Sequence, residues 1–427
     1  MLDRPIADLA ARLRRGEVSP VELARASLER IEHDAALGAY VTVTRETALE
    51  AARTAESELR SGSDRGPLHG LPVAVKDNVD TAGIATTGGS AALRGRVPAV
   101  DAAAWARWHA GGAVLVGKTS LHELAYRAPH PDLPMARNPH DPSRTPGGSS
   151  SGSAVAVAAG HVVAALGTDT GGSVRVPAAL CGVVGVKPSR DVISRDGVIP
   201  LSRSLDAVGL LARDAGDALA ALGALAAVPP AAMSALHVAV VSDTPSCAPC
   251  VREALARAAD AVAGAGHAVA PRAMPALDAW RRVHRRIIGH EAYAEHAGRL
   301  DRTGPLFRQA VLAGGAITDI DYAAALRERS ALRAEDLLGD ADALLLPTTS
   351  DVAPPLDPAT GRAAGDVDLT RWTFVANVFD LPAISVPAGE HAGLPVAVQI
   401  VGRRGGEATL LALAAVVERT ARAAVPA

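Results

Sequence analysis

Two glycine loops place serines where a nucleophile could work: Gly147-Gly148-Ser149 and, 24 positions later, Thr170-Gly171-Gly172-Ser173. Serine hydrolysis needs a nucleophile, a base and donors for a developing oxyanion. The second loop could supply two of these, a hydroxyl and a run of backbone N–H groups on glycines that allow close approach. A literal G-x-S-x-G spans Gly148 to Gly152 around Ser150. It follows the irregular stretch RNPHDPSRTPG rather than a strand, so a nucleophile elbow is disfavoured. For the base, His161 is the only histidine between the loops and sits at the edge of an apolar run. Lys76 is the better candidate, because burial moves a lysine toward neutrality. Taken alone, it reads equally well as a surface lysine at a strand end.

Other chemistries fit the residues less well. Neither GGSSSGS nor GTDTGGS supplies G-x-x-x-x-G-K-[ST], and no G-x-G-x-x-G follows a strand with an acid about 20 residues on. The 13 histidines include no H-E-x-x-H, and no metal site is expected. Cys247-Ala248-Pro249-Cys250 is the strongest rival, since a thiolate between a strand and a helix N-terminus is stabilised by the helix dipole. The chain around it is far longer than a thioredoxin-like unit.

Alternating elements must carry these loops. Ser19-Pro20-Val21-Glu22 predicts a capping box opening a helix. Val73 and Val75 alternate with Ala74 in a short strand ending at Lys76-Asp77-Asn78. Further apolar runs of strand length occur in AVLVGKT (113–119), LHVAVV (236–241), ALLLPTT (343–349), PAISVP (382–387) and PVAVQIVG (395–402). Helices are expected over 46–59, 102–110, 214–225, 251–262, from Thr318 to about Leu338, and at the C-terminal end. Lys118, at the end of the second strand, reads as structural. The proline-broken stretch 121–139 reads as a long irregular loop, a kind that is often functional. Pro229-Pro230 is a candidate seam. The pattern predicts an α/β fold, a single large layered α/β/α domain around a mixed, mostly parallel β-sheet.

Composition narrows the class. The 427 residues carry 48% hydrophobics but only 3% aromatics, which predicts a substantial core of Ala, Val and Leu. Net charge is −3, with no basic surplus for nucleic acid. Three cysteines argue against a disulfide framework. No apolar run approaches the roughly 20 residues needed to span a bilayer, so a cytoplasmic protein away from membranes is expected.

PGGSSSGSAVAVAAG, ALGTDTGGSVRVPAALCGVVGVKPS and GLPVAVKDNVD resemble, in order and spacing, the blocks of the amidase signature family. RNPHDPSRTPGGSS, LPAISVP and GLPVAVQIVG are similar too. The resemblance covers nearly the whole chain. It implies one amidase domain over 1–427, with a catalytic core at about 65–225, a helical, substrate-facing part at about 226–342, and a core completed by 343–427. It implies Ser173 as nucleophile, Ser149 as proton bridge after a cis peptide bond, and Lys76 as general base. The backbone of Thr170, Gly171, Gly172 and Ser173 would form the oxyanion hole of an acyl-enzyme mechanism. No cofactor is implied.

The short bacterial members, including malonamidases, are the most similar in size. Those bind a substrate carboxylate through an arginine three residues after the nucleophile, where this chain has Val176. Tyr126, Arg127 and Arg175 are the candidate substrate contacts. Arg127 could supply a replacement cation or be a solvated loop arginine. Arg175 and Asp169 read more naturally as loop struts. The expected partner is a small-molecule amide, with homodimerisation left open. The first alternative is the catalytic subunit of a glutamine-dependent tRNA amidotransferase, which would bring nucleic acid and further protein partners; a non-catalytic binding protein that kept the fold is a further one, against which the intact Lys76, Ser149 and Ser173 argue.

Overall fold

A computed structural model of the chain describes residues 2–231, 234–365 and 367–423. Its strands are β1 (Tyr40–Val43), β2 (Pro72–Lys76), β3 (Val114–Thr119), β4 (Ala164–Asp169), β5 (Val184–Lys187), β6 (Ala207–Ala212), β7 (His237–Val241), β8 (Ala268–Arg272), β9 (Ala343–Pro347), β10 (Leu356–Asp357), β11 (Arg362–Ala363), β12 (Ala383–His391) and β13 (Leu394–Gly402). Eleven share one sheet in the order β1-β3-β2-β4-β6-β5-β12-β13-β9-β7-β8, while β10 and β11 pair only with each other.

The sheet is mixed, as the pattern predicts, but not mostly parallel. Among the described residues six of its ten ladders are antiparallel and four are parallel. The cause is insertion. The helix Arg175–Cys181 crosses from β4 to β5 and leaves those two strands pointing the same way. β6 then enters between them, antiparallel to both. The β12–β13 hairpin adds further antiparallel ladders; it turns at Ala392 (φ +51°) and Gly393 (φ +76°), the positive-φ pair that a tight two-residue connection requires.

Strand side chains alternate between two cores. Val73, Val75, Leu115, Leu166 and Leu210 enter one; Ala74, Val114, Val116, Ala165 and Leu211 enter the other. That period of two buries both sheet faces. The helices Ala215–Gly223, Pro249–Gly264 and Glu407–Ala423 cover the first face. Pro20–His33, Arg45–Arg60 and Ser151–Ala158 cover the second. The helix at Pro20 starts as its capping box predicts: Ser19 Oγ accepts from Val21 and Glu22, and Glu22 accepts from the Ser19 amide at 2.8 Å.

A third apolar cluster joins Val283, Ile287 and Ile288 of the helix Leu277–His296 to Phe307, Leu124 and Tyr126. It seats the loop after β3 against the helices of the 226–342 segment. That segment is not purely helical, because it also contributes β7 and β8. Among the described residues no helix is long and apolar enough to cross a membrane.

Candidate active site

β2 and β4 run parallel in adjacent positions, with Val75 level with Leu166. Their carboxyl ends therefore open on the same edge of the sheet, where sites in α/β folds tend to form. Lys76 closes β2, and Thr168 lies near the end of β4. Lys76 Nζ donates to Thr168 Oγ1 at 2.8 Å and to Ser149 Oγ at 2.9 Å. Thr168 Oγ1 also accepts from Asn78 Nδ2 at 3.1 Å. Lys76 is fully buried, and that burial brings its ammonium from 10.5 down to about 7, against the opposing pull of the Asp169 and Asp206 carboxylates.

The two glycine loops meet beside this lysine. The Gly148–Ser149 peptide bond is cis. Ser150 N donates to Ser173 O at 3.0 Å, stitching one loop to the other. Ser150 itself is spent on structure, its hydroxyl donating to Thr168 O at 3.2 Å. Ser149 and Ser173 line one cavity of about 280 Å³ with Gly147, Gly148, Thr170 and Gly171. Their hydroxyls are not hydrogen-bonded to each other in this structure.

Behind Ser173 lies a dense polar strut. Asp169 accepts from Arg175 at 2.8 Å and 3.1 Å, from the Gly172 amide at 2.9 Å, from the Val174 amide at 3.1 Å and from Asn377 at 3.0 Å. Burial alone would raise the Asp169 carboxyl; the adjoining Arg175 guanidinium more than reverses this and holds it well below the usual range. Arg175 continues to Thr373 O, Gln399 and Asn377 at 2.6–2.8 Å. It is fully buried and does not line the cavity, so it is a loop strut rather than a substrate contact. Gly172 does not join the expected set of oxyanion donors. Its N–H is already taken by Asp169, whereas the amides of Gly171 and Ser173 have no acceptor among the described residues.

Tyr126 and Arg127 do line the cavity, and the Arg127 guanidinium lies 5.1 Å from the Tyr126 ring centre. The wall also contains residues that sequence reasoning did not single out: His122, Arg281, His284, Arg285 and Arg362. Arg281, His284, Arg285 and Ile288 follow the i, i+3, i+4, i+7 spacing of one helix face, a signal that was available in RRVHRRII. His284 sits 3.0 Å from Thr170 O, and burial brings it down to about 4. Burial, with Lys76 and Arg362 nearby, brings His122 to about 3.

The remaining candidates lie elsewhere. Lys118 Nζ donates to Val79 O at 2.8 Å and Thr86 at 2.7 Å, with Asp77 at 3.8 Å, a structural arrangement as its position implied. His161 pairs with Asp34 at 3.1 Å. Cys247 and Cys250 do not line the cavity, and burial pushes both thiols up, away from the thiolate that redox chemistry uses.

The chain matches the family model for amidases over residues 22–411. It is 37% identical to the A subunit of glutamyl-tRNA(Gln) amidotransferase from Anaeromyxobacter sp. (strain K), over 94% of this chain and 93% of that one. It is 36% identical to the protein of the same name from Thermus thermophilus, with 97% of each covered. A crystal structure described as an amidase superposes with a TM-score of 0.90 at 35% identity, over 97% of this chain and 99% of the other. The family match takes in every strand from β1 to β13, and the shared fold agrees with it: this chain belongs to the amidase signature family and is an enzyme that acts on amide bonds.

Proposed function

We propose that the chain hydrolyses a carboxamide through an acyl-enzyme on Ser173, with Ser149 as proton bridge and Lys76 as base. The observation that carries the reading is the 2.9 Å bond from a fully buried lysine, with a pKa of about 7, to Ser149. A lysine poised there is neutral often enough to take a proton at neutral pH. Lys76 takes a proton from Ser149, which takes one from Ser173 as its Oγ attacks the amide carbonyl. Serine suits the bridge because its hydroxyl both donates and accepts. The oxyanion meets the amides of Gly171 and Ser173, with Thr170 adjacent. Protons return through Ser149 to the leaving amine, and water then releases the acid. The Ser149–Ser173 hydroxyl contact forms when substrate arrives, as catalytic hydrogen bonds often tighten only then.

A second reading is that the chain is the catalytic subunit of a glutamine-dependent tRNA amidotransferase. The curated relatives favour it over a stand-alone amidase, matching over nearly their whole length. Both readings share the chemistry and differ in partners.

Treatment with a fluorophosphonate, followed by mass-spectrometric mapping of the adduct, tests the shared chemistry. The expected tag is on Ser173 and is lost with Lys76→Ala; no tag anywhere overturns it. Steady turnover of simple amides by the isolated chain favours the amidase, whereas activity only with protein partners and glutamine favours the second reading.

A further inference from the structure

Among the described residues the cavity wall carries four arginines, Arg127, Arg281, Arg285 and Arg362, against a single carboxylate, Asp368. Arg281 is committed to that carboxylate and also donates to Thr370 at 2.9 Å. Arg285 reaches the same carboxylate only at 4.0 Å. Arg127 and Arg362 form no ion pair among the described residues. The two wall histidines, His122 and His284, are held neutral by burial and do not add to the charge. Arg362 helps hold the nearby Asp357 carboxyl down but makes no ion pair with it, so the site faces solvent with a positive surplus.

This surplus is assembled rather than scattered. Arg127 comes from the loop after β3, Arg285 from the helix Leu277–His296 and Arg362 from β11. The Arg127 loop is also held in a costly shape: Leu124, Ala125 and Arg127 have φ of +46°, +63° and +66°. Such residues are uncommon outside glycine and persist where the surroundings over-determine them. Here buried Glu123 accepts from Ser90 at 2.5 Å and from the Gly304 amide at 2.8 Å, while Leu124 N donates to Gly88 O at 2.7 Å. A merely solvated arginine needs no such support.

We propose that the amide substrate carries a carboxylate, received by Arg127 and Arg362 with Arg285 beside them. Guanidinium groups suit this task because their planar donors match a carboxylate in pairs. The inference rests on the amide-hydrolysis reading above and names its substrate class. Neutral and cationic amides of the same length lack the group that the wall neutralises.

The test compares kcat/KM for malonamate, succinamate and glutaramate with that for butyramide and the cationic β-alaninamide. The best half-amide is expected to exceed butyramide by about tenfold or more, the worth of one charged hydrogen-bonded contact. Arg127→Gln and Arg362→Gln are expected to raise KM for that half-amide about tenfold, with kcat and the butyramide reaction moving far less. Equal losses on charged and neutral amides, or a preference for β-alaninamide, overturn the proposal while a fluorophosphonate adduct on Ser173 keeps the amidase reading intact. Absence of both turnover and adduct overturns the two together.

Discussion

Lys76 Nζ donates to Ser149 Oγ across 2.9 Å, although the residues stand 73 positions apart in the chain. The contact depends on β2 and β4 lying side by side and parallel, and on the first glycine loop folding back over their ends. Among the described residues Lys76 has no carboxylate partner at ion-pair distance; its other bond is to the neutral hydroxyl of Thr168. Burial disfavours its charge, and the more distant Asp169 and Asp206 carboxylates restore it only in part.

A pH profile should report this lysine directly. A base with pKa about 7 is protonated below that value and free above it. Hence kcat/KM should fall about tenfold per unit below pH 7 and level off above it. Lys76→Ala should abolish this limb with the activity. A profile flat through about pH 5–8 would remove Lys76 from the role of base.

Thr168→Val deletes the second acceptor of the lysine while nearly preserving shape. A hydroxyl oxygen favours the charged amine, so its loss should lower the lysine pKa further and move the acid limb to lower pH. The rate at the plateau should drop about tenfold as Nζ loses its orientation. A rate loss with the limb unmoved would mean that Thr168 acts only through packing.

Arg175→Met should leave the Asp169 charge buried without its partner, at a cost of about 3 kcal/mol or more in urea unfolding. Adding Asp169→Asn should recover part of that loss, because the stranded charge is gone. Arg175→Lys should rescue little, since a point charge cannot replace the bonds to Thr373, Asn377 and Gln399. Equal stability of Arg175→Met and the parent would contradict the strut.

Gly172→Ala tests the loop geometry. Its backbone has φ +128°, and an added Cβ would overlap the Thr373 side chain. The loop must shift, carrying the Gly171 and Ser173 amides with it. Fluorophosphonate labelling should slow about a hundredfold or more, the scale of a lost oxyanion donor. Labelling at the parental rate would show that the loop tolerates a side chain.

The chemistry-bearing stretches were legible because each is local. Glycine beside serine marks backbone that must come close to something, and alternation ending in Lys76 marks a strand that delivers a lysine to a loop. Capping at Ser19 and the apolar strand runs PAISVP and PVAVQIVG are equally local. The matching of whole blocks, in order and spacing, pointed to the family. None of this required a long-range contact to be known.

Tertiary structure decided the rest. β6 enters between β4 and β5 from a later part of the chain, so strand–helix alternation could not reveal that most ladders are antiparallel. Asp169 takes the Gly172 amide because Arg175 and Asn377 hold its carboxylate in place, and Asn377 lies 208 residues away. The arginine wall draws on three distant segments, and a charge in sequence does not disclose what faces it. Lys76 as a residue is written in the chain; its near-neutral pKa is a property of burial, which exists only once the sheet and both glycine loops have closed around it.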